Sequence, residues 1–345
     1  MKTLRGTTKN ERQTLERRCA AGELHRVHPN TYMPDDVWAG LDQAERRRIH
    51  HLTAVDGRRD MVIVGRSAAL VHGLEILDVA PSGKAGRNGD AGSVPPAGSM
   101  PRWPILPGDD VVELGHPTRR NFETRGIIRE SKLRWGADDV IMIDDRPVTS
   151  VGATVADITR RHGFGHGLVA ADSALRLHHS PIDLMRPAAH VPNPAQALRT
   201  VACASQFPDS AAESLLRAQI IDAGLPAPEV QLRVFKGNGI FIGKADLSYS
   251  GLLLMVEVHG KHKFSGRYGD GEERSMYEWR RETEMTQEGL AVQRVTFPQI
   301  VSGEALRMVA DAVERQQAAV ARGATTTARF VPAGVRWPEG FRLRN

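Results

Sequence analysis

The sequence predicts an α/β protein of more than one domain, and three observations support that prediction. The chain has 345 residues, a length typical of two or three domains. Its composition, 41% hydrophobic and 25% charged, is that of an ordinary globular protein. Short apolar runs alternate with amphipathic helical stretches, and after residue 205 they follow the order α-β-β-β-α-β-α. That order predicts a compact α/β unit in the last third of the chain.

Composition and patterning divide the chain into five segments. A helix-and-hairpin stretch comes first, and a Gly/Pro-rich linker or insertion without periodicity follows it. Short β-rich runs and two helices then precede the α/β unit, and the last residues form a basic tail that we expect to be loosely ordered. The predicted segments are 1–78, 79–104, 105–200, 205–320 and 321–345.

The composition also argues against several classes of protein. The two cysteines, Cys19 and Cys203, lie far apart, which disfavours a disulfide framework and a cysteine-based zinc site. The N-terminus lacks the apolar core of a signal peptide, and no apolar run approaches the ~20 residues that span a bilayer. We therefore expect a cytoplasmic protein without a membrane partner. The sequence does not indicate an oligomeric state.

Basic residues collect near both ends of the chain, although the net charge of +5 is modest. Near the start, "TKNERQTLERRCAAGE" predicts a helix and "LHRVHPNTYMP" a short hairpin, an order typical of the second half of a winged helix. Arg12, Arg17, Arg18 and Arg26 lie in this stretch and are candidate contacts to nucleic-acid phosphates. The alternative is that they are ordinary solvated surface charge.

The stretch "KADLSYSGLLLMVEVHGKH" places acids inside apolar strands. If Ser250-Gly251 is a two-residue hairpin turn, Asp246 faces Met255 across the hairpin. Glu257 then lies on the same face as Asp246, one diagonal step of ~7–8 Å away. His259 has the same parity and shares that face. A slip of one residue would undo this arrangement.

A buried carboxylate needs a partner, and the pattern favours a metal ion. A divalent cation between Asp246 and Glu257 would neutralise both, and oxygen ligands select Mg²⁺ or Mn²⁺. Glu213, on the helix before the strands, would supply a third carboxylate. Such an ion activates water and polarises phosphoryl oxygens, which is the chemistry of phosphodiester hydrolysis. The alternatives are that Glu257 is exposed, or that it pairs with Lys244.

Two further patterns do not indicate sites. Adjacent residues on a helix point about 100° apart, so the pairs His50-His51 and His178-His179 are poorly placed to chelate a metal. The glycine-rich stretch 163–167 follows no predicted strand and precedes no Lys-Ser/Thr step. It is therefore interpreted as an interhelical turn and not as a phosphate-binding loop.

The segments "SAAESLLR", "ADLSYSGLLLMVEVHGKHKF" and "RRETEMTQEGLAVQRVTF" together resemble the PD-(D/E)XK nuclease superfamily. The closer resemblance is to a small domain of unknown function related to very-short-patch repair endonucleases. It implies a restriction-endonuclease-like α/β core in which Glu213, Asp246 and Glu257 are the acidic positions. His259 falls where the superfamily usually carries Lys, which implies a base or ligand, or a relaxed site. Gln231 matches an auxiliary Gln of many relatives.

The same resemblance implies basic contacts to nucleic acid. Arg280 and Arg281 lie in the stretch that corresponds to the family's Arg-rich helix, and Lys261 follows the strand of Glu257. All three are candidate contacts to phosphate. For the two arginines the alternative is a solvated helix face on which they pair with Glu284 or Glu288.

The front two thirds of the chain carry a second resemblance. The stretches "LERRCAAGELHRVHPNTYMP", "SAALVHGLEIL", "DDRPVTSVGATVADITRR" and "GLVAADSALR" are similar, in this order, to the AbiEi family of type IV antitoxins. That family has an N-terminal winged helix that binds promoter DNA, and it implies a toxin-like protein partner. The helices that usually precede the recognition helix are not seen here, so we expect a truncated winged helix.

These observations lead to one principal functional prediction and two alternatives. The principal prediction is an Mg²⁺- or Mn²⁺-dependent DNA endonuclease that residues 10–33 guide to DNA. The first alternative is a non-catalytic, antitoxin-like regulator that binds operator DNA or a toxin partner. A nuclease acting on RNA is less favoured, because aromatic residues for base stacking make up only 5% of the chain.

Overall fold

The computed structural model confirms the α/β class and groups the chain into two compact units. Unit 1 is built from Met1–Asp78 and Leu106–Ala204, and unit 2 contains Ser205–Asn345. Within the described residues, no helix is both long and apolar enough to cross a lipid bilayer. The structure describes residues 3–77, 111–118, 123–125, 127–192, 194–259 and 271–343, without the side chains of 123–125, 271–275 and 277.

Unit 1 joins two stretches of chain that the composition separates. Its six-stranded sheet has the order β5-β6-β4-β3-β8-β7, with a two-residue strand, Val62–Ile63, near its centre. This strand pairs with β4 and with β8, so residues 1–78 and 105–200 share one core. Its elements are α1 Lys9–Ala20, β1 Leu24–His28, β2 Thr31–Pro34, α2 Asp35–Gly40, α3 Gln43–Thr53, β3 Val62–Ile63, α4 Gly65–His72, β4 Val112–His116, β5 Glu123–Arg125, β6 Ile128–Lys132, β7 Val140–Ile143, β8 Arg146–Thr149, α5 Val151–His162, α6 Phe164–Arg176, α7 Pro181–His190 and α8 Ala195–Cys203.

The predicted N-terminal helix and hairpin are confirmed. Helix α1 begins after Thr8, whose side chain accepts a hydrogen bond from the backbone N–H of Glu11, while the Glu11 carboxylate accepts one from the backbone N–H of Thr8. Strands β1 and β2 pair antiparallel as the hairpin. No residue of α1 is buried, so this helix presents nearly its whole circumference at the surface of unit 1.

Several histidines are buried inside unit 1. The ring of His28 lies 2.6 Å from the backbone oxygen of His50, and the Nδ1 atom of His51 lies 2.9 Å from Ser67 Oγ. Burial lowers the pKa of His28 to about 4 and those of His51 and His166 to about 3. These rings are therefore neutral parts of the core at pH 7.

Unit 2 follows the predicted order and adds two elements to it. Its sheet has the order β12-β11-β10-β9-β13, and its neighbours are antiparallel except for the parallel pair of β11 and β12. The additions are the short helix α11 and the strand β13. The elements are α9 Ala211–Asp222, β9 Glu229–Phe235, β10 Phe241–Tyr249, β11 Leu254–His259, α10 Gly271–Gln287, β12 Ala291–Thr296, α11 Phe297–Ser302, α12 Glu304–Ala321 and β13 Arg329–Val331.

Residues 329–341 of the C-terminal tail pack against the sheet, which corrects the expectation of a loosely ordered tail for this part of segment 321–345. Strand β13 pairs antiparallel with β9 and covers its free edge. The ring of Trp337 lies 4.9 Å from that of Phe235, and the ring of Phe341 lies 4.6 Å from Phe235 on centroid distances. Periodicity could not show this, because the tail is held by scattered aromatic anchors and not by an amphipathic element.

We expect acid to destabilise unit 1 through its neutral histidines. The folded pKa of His51 lies below the ordinary value of 6.5, so the unfolded state binds more protons as the pH falls below about 6.5. Stability is therefore lost progressively toward pH 3, and one such ring accounts for about 2–3 kcal/mol by pH 4.5. Urea unfolding of His51→Gln should show a shallower loss of stability between pH 7 and pH 4.5. The exposed His178→Asn is the control, and an unchanged slope in His51→Gln would contradict this account.

We also expect the tail to stabilise unit 2. Trp337→Ala removes the ring that packs on Phe235 and stacks on Phe241, and it should lower the free energy of unfolding by about 1–3 kcal/mol. Val335→Ala is the matched control, because Val335 lies in the same segment and is 50% exposed. Urea denaturation measures both. Equal stability of wild type and Trp337→Ala would show that the tail does not contribute.

Candidate functional site

The pairing of β10 with β11 sets the geometry of the acidic site. Ser248 lies opposite Met255 in the antiparallel ladder, and one pair further on Leu247 lies opposite Val256. The next step along the same register places Asp246 opposite Glu257. The predicted pairing of Asp246 with Met255 is therefore wrong by two residues.

The connection between the strands explains this difference. Residues 250–253 form a turn that begins with a 3-10 segment, Ser250–Leu252, and ends at Leu253 in the left-handed region with φ of +58°. The connection thus has four residues, and the two-residue turn at Ser250-Gly251 is not formed. Because a shift of two residues preserves the alternation of faces, Asp246 and Glu257 still share one face, as predicted.

Glu213 is held at the first turn of α9. The hydroxyl of Ser210, the residue before this helix, donates to Glu213 Oε1 at 2.7 Å and accepts from the Glu213 backbone N–H at 3.3 Å. The backbone N–H of Asp209 donates to Glu213 Oε2 at 2.8 Å. This is a helix-capping arrangement, so Glu213 has a structural role in addition to its place in the site.

Gln231 joins Glu213 to Asp246. Its Nε2 atom donates to Glu213 Oε2 at 2.9 Å and lies 3.4 Å from Asp246 Oδ1. Gln231 is buried and has a φ of +52°, a left-handed conformation that is costly for a residue other than glycine. The backbone of β9 is thus locally strained where it presents this amide to the two carboxylates.

The negative charge of this cluster is poorly compensated. Burial, and then the nearby Asp246, raise the pKa of Glu213 above its usual range. Asp246 Oδ2 accepts a hydrogen bond of 2.7 Å from the backbone N–H of Val258. The contacts described so far for Glu213 and Asp246 therefore come from neutral donors, namely an amide, a hydroxyl and backbone N–H groups.

Glu257 has a cationic partner on α10. The Nη2 atom of Arg281 forms a short ion pair with Glu257 Oε2, and its Nη1 atom donates to the backbone oxygen of Lys244 at 3.2 Å. The ammonium of Lys244 instead lies 2.9 Å from Asp209. The alternative pairing of Glu257 with Lys244 is therefore wrong, because the shifted register and the course of α10 bring Arg281 to this carboxylate.

Three further predicted residues belong to unit 2, and the structure describes two of them. His259 ends β11, and its Nδ1 atom lies 4.0 Å from Glu278 on α10. Arg280 is exposed on α10. Lys261 lies outside the described residues, so its proposed contact stays a prediction.

The alternative partners predicted for the helix arginines are engaged elsewhere. Glu284 lies 3.4 Å from the ammonium of Lys236, and Glu288 accepts a hydrogen bond from the backbone of Gly237. Arg281 therefore does not lie on a solvated face beside these acids. It points across the sheet to the site.

The N-terminal candidates are all on the surface of unit 1. Arg12 and Arg17 donate to backbone oxygens near α1, each at 3.3 Å, and Arg18 pairs with Glu23 at 2.8 Å. Arg26 is exposed on β1. These contacts fit a solvated surface, and they leave the guanidinium groups accessible to phosphate.

The polar groups of the site are mainly carboxylates, and these are not gathered around one point. In the described part of the chain, no group of three or more His, Cys, Asp or Glu side chains is placed to hold a metal ion. The candidate ligand atoms are nevertheless all oxygens, and burial, followed by the nearby Asp246, raises the pKa of Glu213. The buried Oε1 atom of Gln231 accepts no hydrogen bond from the described residues. Carboxylate and amide oxygens are of the ligand type that Mg²⁺ and Mn²⁺ prefer.

Two residues of unit 2 in tightly packed surroundings were missed by sequence reasoning. Gly243, inside β10, makes room for Arg281, because a Cβ atom there would lie 2.5 Å from Arg281 Cδ. An isolated glycine in a strand indicates a close approach, so this signal was present in the sequence. Arg217, one helical turn after Glu213, is buried with only 6% of its surface exposed, and no local pattern marked it.

In comparisons with known proteins, no family model, no curated protein and no solved structure matches this chain. The functional groups of the site are carboxylates, an amide, a guanidinium and an imidazole. Carboxylates bind hard cations, and guanidinium groups bind phosphate.

Asp246→Asn should stabilise unit 2 at high pH. The substitution removes the negative charge beside Glu213, while the side-chain oxygen of Asn can still accept from Val258 N–H. We expect a gain of about 1 kcal/mol at pH 8, which shrinks as the pH falls and Glu213 binds a proton. Urea unfolding at pH 8 and pH 5 measures it, with the exposed Asp311→Asn as control. A loss of stability at both pH values would show that the two carboxylates do not repel each other.

Proposed function

We propose that the chain is a divalent-metal-dependent DNA endonuclease of the PD-(D/E)XK class, with its site on the sheet of unit 2. The observation that carries the proposal is the cluster of Glu213, Gln231 and Asp246, in which two buried carboxylates share one amide. Burying two carboxylates lowers the free energy of unfolding unless opposite charge compensates them. Such a cluster is therefore unfavourable in a protein in which it has no function. Clusters of this kind are typical of functional sites.

The carboxylates have distinct roles in this proposal. Asp246 and Glu257 would hold Mg²⁺ or Mn²⁺, with Glu213 assisting from α9. When bound, the cation lowers the pKa of a water molecule and polarises a phosphoryl oxygen. Gln231 keeps Glu213 and Asp246 in place through its shared Nε2–H group.

His259 and the arginines act on the substrate. In phosphodiester hydrolysis a water oxygen bonds to phosphorus while the bond to the leaving oxygen breaks, and that oxygen takes up a proton. His259 ends the strand of Glu257, two residues further along on the same face, and its imidazole would accept the proton of the attacking water. Arg280 is exposed on α10 and would contact the phosphate backbone.

One observation favours a second candidate, a regulator that binds operator DNA or a toxin partner. Helix α1 has no buried residue and carries Arg12, Arg17 and Arg18 on its surface. A helix of this kind beside a hairpin suits contact with the DNA backbone, whether or not unit 2 is active. In this case the protein would shift a DNA duplex in a gel without any divalent cation.

The nuclease proposal is tested by plasmid cleavage. Wild type with Mg²⁺ or Mn²⁺ should convert supercoiled plasmid to nicked or linear forms. The double variant Asp246→Ala/Glu257→Ala should lose this activity by about 100-fold or more, because it removes both proposed ligands. Calorimetric titration with Mn²⁺ should show binding to wild type and none to the double variant.

Asp311→Ala is the control, since Asp311 is an exposed acid of the same unit. Circular dichroism establishes that each variant is folded. A wild-type protein that binds no Mn²⁺ and leaves plasmid intact would reject the nuclease proposal. Metal-free binding to duplex DNA would then support the regulator.

A further inference from the structure

We infer that Arg281 is a built-in counter-ion that holds Glu257 in the cation-free protein and that a divalent cation must displace. The inference rests on the proposed function, because it concerns the same carboxylates. It adds a means by which cation binding and substrate binding are coupled at one side chain.

Glu257 is a buried carboxylate. Its side chain is only 5% exposed, in a strand whose other residues are apolar up to His259. A carboxylate in this setting is unfavourable without a matching charge. Arg281 supplies that charge through the ion pair with Glu257 Oε2.

Arg281 is held in place from two directions. Its stem passes over Gly243, whose missing side chain leaves the space that the Cδ atom occupies. Its Nη1 atom donates to the backbone oxygen of Lys244 at 3.2 Å. The guanidinium therefore reaches Glu257 across β10 along a route that a residue larger than glycine at position 243 would obstruct.

Glu257 differs from the other two carboxylates of the site in the charge of its partner. Glu213 and Asp246 are bridged by the neutral amide of Gln231, while Glu257 is bound by a full positive charge. A cation that uses Asp246 and Glu257 together would bring a second positive charge to the carboxylate that the guanidinium of Arg281 already neutralises. Cation binding and the Arg281–Glu257 pair are thus mutually opposed.

A guanidinium released from Glu257 stays at the edge of the site. The side chain of Arg281 is 21% exposed and follows the exposed Arg280 on α10, so it lies at the edge of the site. Guanidinium groups bind phosphate oxygens in the same bidentate way in which they bind carboxylate oxygens. A DNA phosphate would therefore compete for Arg281 and free Glu257 for the cation, and by linkage the cation would favour phosphate binding equally.

Calorimetric titration with Mn²⁺ alone tests the inference. Arg281→Gln should bind Mn²⁺ more tightly than wild type, by about fivefold or more, because the competing charge is gone. Gly243→Ala should also bind more tightly without any change of charge, because the added Cβ atom lies 2.5 Å from Arg281 Cδ and disturbs the pair. The controls are Arg307→Gln, an exposed arginine on α12, and Gly251→Ala, where an added Cβ atom meets open space.

A measurement on wild type covers the case in which Arg281→Gln does not fold. In ¹⁵N spectra of the arginine side chains, saturation with Mg²⁺ should shift the Nε–H signal of Arg281 and leave that of Arg307 in place. Equal Mn²⁺ affinity in wild type, Arg281→Gln and Gly243→Ala would overturn the counter-ion role and leave the nuclease proposal standing. No Mn²⁺ binding in any variant would overturn both.

Discussion

The burial of carboxylates among the central strands is the constraint on which the architecture of unit 2 depends. Each buried acid is met by a group from a different element. The backbone at the N-terminus of α9 and the amide of Gln231 on β9 donate hydrogen bonds to Glu213. The backbone of β11 donates a hydrogen bond to Asp246, and Arg281 of α10 forms an ion pair with Glu257. The sheet and both helices are therefore tied together at the same place, and that place is the candidate site. Strain at Gln231 is tolerated there because the surrounding contacts outweigh it.

Unit 1 depends on a different constraint, because a two-residue strand connects the two halves of its six-stranded sheet. Strand β3 joins β4 and β8, so chain from both sides of the Gly/Pro-rich stretch contributes to one core. The buried histidines of this unit are neutral, and they make its stability sensitive to acid. Unit 1 keeps these buried histidines neutral and pairs its buried Asp157 with Arg160 and Arg161, whereas in unit 2 the neutral amide of Gln231 bridges Glu213 and Asp246.

Local patterns in the sequence were sufficient for much of unit 2. Apolar alternation and helical periodicity predicted its element order, because each strand and helix carries its own signal. The shared face of Asp246 and Glu257 was also predictable, since alternation along strands survives a register shift of two residues. The register itself was not, because the turn uses Leu253 in a left-handed conformation that no residue-type rule assigns to leucine.

The sequence by itself determined the α/β class, the elements and which acids share a face, since all of these follow from near neighbours along the chain. The tertiary structure alone decided which groups meet across the chain. It brought Arg281 to Glu257 in place of Lys244, put the tail on the edge of β9, and joined residues 1–78 to residues 105–200. The physical reason is that such contacts depend on the packing of whole elements, and on small openings such as the one at Gly243, which no local pattern encodes.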